Sequence, residues 1–211
     1  MKGNILVGQS GGPTAVINAS LSGVIQGARA AGFGETDTSA SGRILGMRFA
    51  IEGFLNEQIV DLGPLSYRDL YRLQHTPGSA LGSCRYKLRD EDLPKIRALL
   101  EKCGVRYLFY IGGNDTMDTI HRISSYCNEN GYELRGVGIP KTVDNDLFAT
   151  DHTPGYPSAA RYVAMSIQQA GRLARDMQKV DRFLVHQTIG RDAGWLAAAT
   201  ALARRSPDEI G

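Results

Sequence analysis

Residues 105–117 read VRYLFYIGGNDTM, and this stretch decides the fold. Val105–Ile111 is a continuous β-prone run that reads as a strand. A double glycine ends it. Met117, Ile120, Ile123 and Cys127 then recur at helical spacing until Gly131. Strand, glycine turn and helix in this order form half of a parallel crossover unit.

The same grammar extends outward. Upstream, Leu93, Ile96, Leu99, Leu100 and Cys103 mark a helix face that stops before Gly104; downstream, Leu134–Ile139 is the next strand. At the N-terminus Asn4–Gly8 (NILVG) reads as a buried strand broken by Gln9-Ser10-Gly11-Gly12. Pro13 is expected at the first helical position, Ile17, Leu21, Val24, Ile25 and Ala28 on the helix face, and Gly32 as its stop. Residues 34–80, cut by Gly42, Gly46, Gly53, Gly63 and Gly78, support one strand near Arg43–Leu45 and a long connection. Beyond the polar stretch 140–157 the pattern predicts a helix over Ser158–Met177, a strand over Arg182–Thr188, and a helix from Gly194 to about Arg205. The expected fold class is α/β: a Rossmann-like three-layer domain with a mostly parallel sheet over residues 1–150, then the beginning of a second α/β domain over 151–211.

Composition narrows the function. In 211 residues, 42% hydrophobic and 22% charged is globular rather than disordered. The balance of 24 basic and 22 acidic side chains, with no basic run, gives no nucleic-acid arm and no membrane anchor. No apolar stretch reaches the ~18 residues of a membrane span, and the N-terminal apolar run is too short for a signal peptide. Three cysteines without metal spacing (Cys84, Cys103, Cys127) suit a reducing, cytoplasmic setting. The ending Ser206–Gly211 reads as a loop about to enter another strand, so a truncated chain is expected.

Three loops carry chemistry. Gln9–Thr14, a glycine-rich turn feeding a helix, can present N–H groups and a positive dipole end to an anion; the plainer alternative is a tight turn with no ligand. It matches neither the Walker pattern nor GxGxxG. Ile111–Thr116 (IGGNDT) again leaves a strand for a helix, and Asp115 beside Asn114 and Thr116 suits a hard ion bridging phosphate oxygens. The alternative makes Asn114 or Asp115 a helix N-cap. Pro140–Asp146 (PKTVDND) packs a cation, a hydroxyl and two carboxylates at a strand's carboxyl end, with a solvated loop as the alternative. One carboxylate can take a proton from an attacking hydroxyl, and lysine can neutralise a transferred phosphoryl group.

In this order and combination, GG at 11–12, GGND at 112–115 and PKTVDND at 140–146 resemble the phosphofructokinase family, across essentially the whole chain. Leu81–Arg85 (LGSCR) resembles its LGSxR segment, and Ile189-Gly190-Arg191 its MGR segment. The resemblance implies Asp144 as the base that deprotonates the 1-hydroxyl of fructose 6-phosphate. It implies Thr142, Val143, Asp146, Ile189, Gly190 and Arg191 at the sugar phosphate, and Arg182 reaching a neighbouring subunit's sugar phosphate. Gly11, Gly12 and Arg85 would hold the phosphoryl donor. ATP-using members carry glycine where this chain has Asp115 and Lys141, a pair that marks pyrophosphate users. A carboxylate at 115 fills and charges the place of ATP's α-phosphate, and a lysine at 141 suits pyrophosphate. The metal would be Mg²⁺ at Asn114 and Asp115; the family's usual aspartate is Asn114 here, which shifts weight onto Asp115, Asp146, water and the pyrophosphate. Ile189 replaces methionine at similar volume.

The resulting expectation is a reversible pyrophosphate-dependent phosphotransferase acting on fructose 6-phosphate, a homo-oligomer (dimer or tetramer) in its full-length form. The alternatives are an ATP-dependent phosphofructokinase and a non-catalytic phosphometabolite-binding module. A dinucleotide oxidoreductase lacks its fingerprint.

Overall fold

The computed structural model describes residues 2–34 and 42–204. The chain divides into two compact units at Lys141/Thr142, and each is described by itself.

The first unit is an α/β sandwich on a five-stranded sheet ordered β3-β2-β1-β4-β5. The strands are β1 (Asn4–Gln9), β2 (Ile44–Met47), β3 (Ile59–Asp61), β4 (Val105–Gly112) and β5 (Arg135–Pro140). All neighbours run parallel except β2 and β3. Period-two alternation sends successive side chains to opposite faces. On β1, Ile5 and Val7 join one core with Ile17, Leu21 and Ile25, whereas Leu6 joins the other with Leu100, Leu108 and Ile123. β1 is thus dry on both faces, which is why it reads as a continuous apolar run.

Helices supply the cover: α1 (Ile17–Ala30), α2 (Ala50–Leu55), α3 (Tyr67–Gln74), α4 (Leu93–Lys102) and α5 (Asn114–Glu129). Within 34–80, β2 lies one residue past the expected strand start. That stretch also holds α2, β3 and α3, which the sequence pattern did not resolve. α3 begins with a capping box, Ser66 accepting from the Asp69 N–H and the Asp69 carboxylate accepting from the Ser66 N–H.

Pro13 is not the first helical residue: α1 starts at Ile17. The intervening chain is committed elsewhere, with the Ser10 N–H bonded to the Ile111 carbonyl (2.8 Å) and the Thr14 carbonyl accepting the Gly78 N–H (3.4 Å).

In the second unit α6 (Tyr156–Asp176) covers the expected helix. The strand expected over Arg182–Thr188 does not form. A strand needs a neighbour to pair its backbone groups. Among the described residues this unit offers only an isolated bridge between Thr142 and Gly155, and Phe183 is 83% exposed. The last expected helix is shorter: α7 (Trp195–Ala199) passes into a 3-10 turn at Thr200–Ala203, where the Thr200 hydroxyl donates to the Ala197 carbonyl at 2.6 Å. Arg205 and the ending Ser206–Gly211 lie outside the described residues. No helix among the described residues is long and apolar enough to cross a membrane.

Leu6 is fully buried in the central strand. Leu6→Ala should therefore cost about 2–5 kcal/mol, whereas Phe148→Ala, at a fully exposed ring, should change stability by no more than ~0.5 kcal/mol. Denaturant titration checks both, and equal effects would contradict this packing.

Candidate functional site

β1 and β4 are neighbours, yet from β1 the chain moves towards β2 and from β4 towards β5. Such a switch point parts the two strand-end loops, and open α/β sheets bind ligands there. Gly11 and Gly12 follow β1, and Asn114 and Asp115 follow β4, on the two sides of this switch point.

The loop after β1 is built around a buried cation. Lys141 follows β5, and its N–H continues the ladder to the Gly112 carbonyl at 2.9 Å. Its side chain is only 3% exposed, and Nζ donates to the Gly12 carbonyl at 2.7 Å. A buried ammonium is costly unless its N–H groups meet acceptors, so this bond fixes where the loop lies. Gly11 turns with φ +75°, and a Cβ there would stand 3.0 Å from Lys141 Nζ; one at Gly12 would meet nothing within 4 Å. The Gly11 carbonyl accepts from Ser83 Oγ at 2.7 Å. In a trans peptide the N–H opposes its C=O, so the Gly12 N–H points away from Ser83. Arg85 follows on an irregular segment and is exposed.

The second loop overturns the capping alternative. The N-cap of α5 is Gly113, with no side-chain cap bond, and Asn114 and Asp115 are its first two helical residues. Both side chains are exposed, beside the positive dipole end of a 16-residue helix. At Gly112 a Cβ would fall 2.1 Å from Thr116 Oγ1, so only glycine lets this strand close onto its helix.

Tyr110, which the sequence reading did not single out, lies on β4 under the same loops. Burial pushes its phenol up to about 12 despite hydrogen bonds with the Ser10 side chain and the Ile51 backbone. It remains a neutral prop for Ser10 at any physiological pH. Ser83 was missed as well, and its place beside Arg85 in LGSCR was the available signal.

Among the described residues no group of three or more His, Cys, Asp or Glu side chains could hold a metal. The oxygen donors at Asn114 and Asp115 suit a magnesium ion, which usually takes one or two protein carboxylates and completes its shell with phosphates and water.

The remaining predicted residues belong to the second unit. Thr142–Asp146 form a loop closed on itself. Asn145 takes φ +57°, a left-handed conformation that asparagine tolerates, and its Nδ2 donates to the Asp151 carbonyl while Oδ1 accepts from the Thr153 N–H (2.9 and 2.8 Å). Thr153 Oγ1 donates to the Thr142 carbonyl (2.7 Å), and the Asp144 N–H donates to Thr142 Oγ1 (3.1 Å). Asp144 is half-buried and Asp146 exposed. Val143 packs against Ala160, Leu196 and Ala199. Arg182, Ile189, Gly190 and Arg191 lie on an exposed, non-helical stretch.

Residues 4–210 match the phosphofructokinase family model. The chain is 42% identical over 213 residues to the pyrophosphate–fructose 6-phosphate 1-phosphotransferase of Xanthomonas campestris pv. campestris, covering 98% of this chain and 49% of that protein. It is 35% identical over 209 residues to a sulfofructose kinase of Alkalicoccus urumqiensis, covering 98% and 52%. A crystal structure of pyrophosphate-dependent phosphofructokinase from Marinobacter aquaeolei superposes with a TM-score of 0.84 at 38% identity, covering 100% and 51%. The chain spans about half the length of these relatives.

The two loop glycines should respond differently to a methyl group. Gly11→Ala forces a left-handed residue, at about 1–2 kcal/mol, and crowds Lys141. Gly12→Ala meets open space and should cost under ~0.5 kcal/mol. Denaturation midpoints of the two variants test this, and a Gly11→Ala protein as stable as Gly12→Ala would refute the loop geometry.

Proposed function

We propose that this chain, which belongs to the phosphofructokinase family, serves a reversible phosphotransferase that uses pyrophosphate to phosphorylate fructose 6-phosphate. The observation that carries this reading is the buried Lys141 ammonium, held by the Gly12 carbonyl at 2.7 Å beneath the loop that would receive the donor.

The 1-hydroxyl oxygen attacks the terminal phosphorus of pyrophosphate as the bond to the bridging oxygen breaks. Fructose 1,6-bisphosphate forms and inorganic phosphate leaves. Asp144 accepts the hydroxyl proton. Lys141 offsets negative charge on the departing phosphate. Gly11, Gly12 and Arg85 hold the donor, with the Gly12 N–H as one backbone contact. Asn114 and Asp115 would hold a magnesium ion, which would supply positive charge against the phosphates. Asp115 excludes ATP by occupying and charging its α-phosphate position. Thr142, Val143, Asp146, Ile189, Gly190 and Arg191 line the sugar phosphate. Arg182, exposed as an arginine serving another subunit must be, reaches across in a homo-oligomer. The setting is the cytoplasm.

Likeness to a protein named sulfofructose kinase makes the acceptor's anionic head group a point to test. In the whole protein, kcat/KM should favour pyrophosphate over ATP and fructose 6-phosphate over sulfofructose. Preference for ATP would overturn the donor assignment, and preference for sulfofructose the acceptor assignment.

Three variants probe the roles. Asp144→Asn should lower kcat by at least ~10² with sugar-phosphate binding retained; a mutant keeping most of its kcat removes Asp144 from the chemistry. Lys141→Met, which keeps volume in the buried slot, should lower pyrophosphate turnover by ~10²–10³. Asp115→Gly should raise ATP use. A donor ratio unchanged in both of these last two variants would mean that neither residue selects the donor.

A further inference from the structure

The end of β1 and the start of α1 hold two side-chain amides where apolar residues would be expected: Gln9 is 0% exposed and Asn18 is 3% exposed. Buried amides are tolerated only when their hydrogen bonds are made, and here all the partners are specific. Gln9 Nε2 donates to the Ile17 carbonyl (3.1 Å) and to Asn18 Oδ1 (3.0 Å). Gln9 Oε1 accepts from Ser79 Oγ (3.1 Å) and the Leu81 N–H (2.9 Å). Asn18 Nδ2 donates to the Thr76 carbonyl (2.8 Å), and Asn18 Oδ1 also accepts from the Ala80 N–H (2.9 Å).

These bonds do one thing. They stitch residues 76–81, distant in sequence, to the two elements that flank the Gly11–Gly12 loop. Two residues further on, Ser83 Oγ holds the Gly11 carbonyl, and Arg85 follows. Gln9 precedes the loop and Asn18 succeeds it, so the pair brackets the loop and ties both its ends to the segment carrying Ser83 and Arg85.

We propose that Gln9 and Asn18 are positioning residues of the donor site: their paired buried amides lock the Gly11–Gly12 loop and the Ser83–Arg85 segment into one rigid cradle for a diphosphate. The proposal rests on the donor reading above for the identity of the ligand. Neither amide touches the ligand; they set the distance between the groups that do.

The test uses the whole protein, with Gln9→Leu, Asn18→Leu and the double variant, and with Ser79→Ala and Asn18→Ser as milder changes should the leucine variants fail to fold. Backbone ¹⁵N relaxation is measured without ligand, and pyrophosphate with Mg²⁺ is titrated calorimetrically. Loss of the lock should drop order parameters at Gly11, Gly12, Ser83 and Arg85 towards ~0.6 or below while Leu108–Ile111 stay near ~0.85. Pyrophosphate affinity should fall about tenfold in each single leucine variant and no further in the double, the non-additivity of residues acting as one unit. Unchanged order at those four residues, or an equal loss across the sheet, overturns the proposal, because a merely structural role gives one of these. Should the unaltered whole protein bind no pyrophosphate, the donor reading falls, and the relaxation pattern alone still decides whether the lock exists.

Discussion

A lysine ammonium bonded to the carbonyl of Gly12 is the constraint around which the first unit's working end is arranged. Lys141 leaves β5, the edge strand, while Gly12 follows β1 in the centre, with β4 between them. At the β4 turn between them, Gly112 lets Thr116 close against the strand. The loop after β1 bends back at Gly11 in a left-handed conformation that would set any Cβ 3.0 Å from Nζ. Removing water from a cation is expensive, so these adjustments are mutually enforced rather than separately chosen. The charge is fixed in place by the fold itself.

The central strands were readable because β1 is buried on both faces of the sheet. Runs such as NILVG and VRYLFYI have few plausible homes other than a buried parallel strand, and helical spacing in the segments between them supplied the crossovers. Less was legible where order depends on partners remote in sequence. β3 is a three-residue antiparallel strand, and α2 is a six-residue helix; neither is long enough to show a period. Pro13 looked like a helix start, yet the backbone around it bonds to Ile111 and Gly78 instead. Arg182–Thr188 has strand composition but no described strand in its unit to pair with.

The site shows the same division. Its glycines, lysine and carboxylates stood out because so many reactive or conformationally special residues seldom cluster by chance. Ser83 and Tyr110 did not, since a serine or a tyrosine acquires meaning only from what it touches. Gln9 and Asn18 offered a fainter signal: a polar side chain at the end of an apolar strand, and another on the core face of α1 between Ile17 and Leu21. Polar residues at positions that periodicity assigns to the interior deserve a search for mutual partners.

The loop that bears Asp144 has a different character, because its fold is written almost wholly into its own side chains. Asn145, Thr142 and Thr153 satisfy one another and the nearby backbone, all within residues 142–153. Its supporting bonds are thus concentrated in one short stretch of chain. A turn that carries its own scaffolding in this way stands or falls as one piece, and its asparagine and threonines cannot be exchanged singly without loosening the rest.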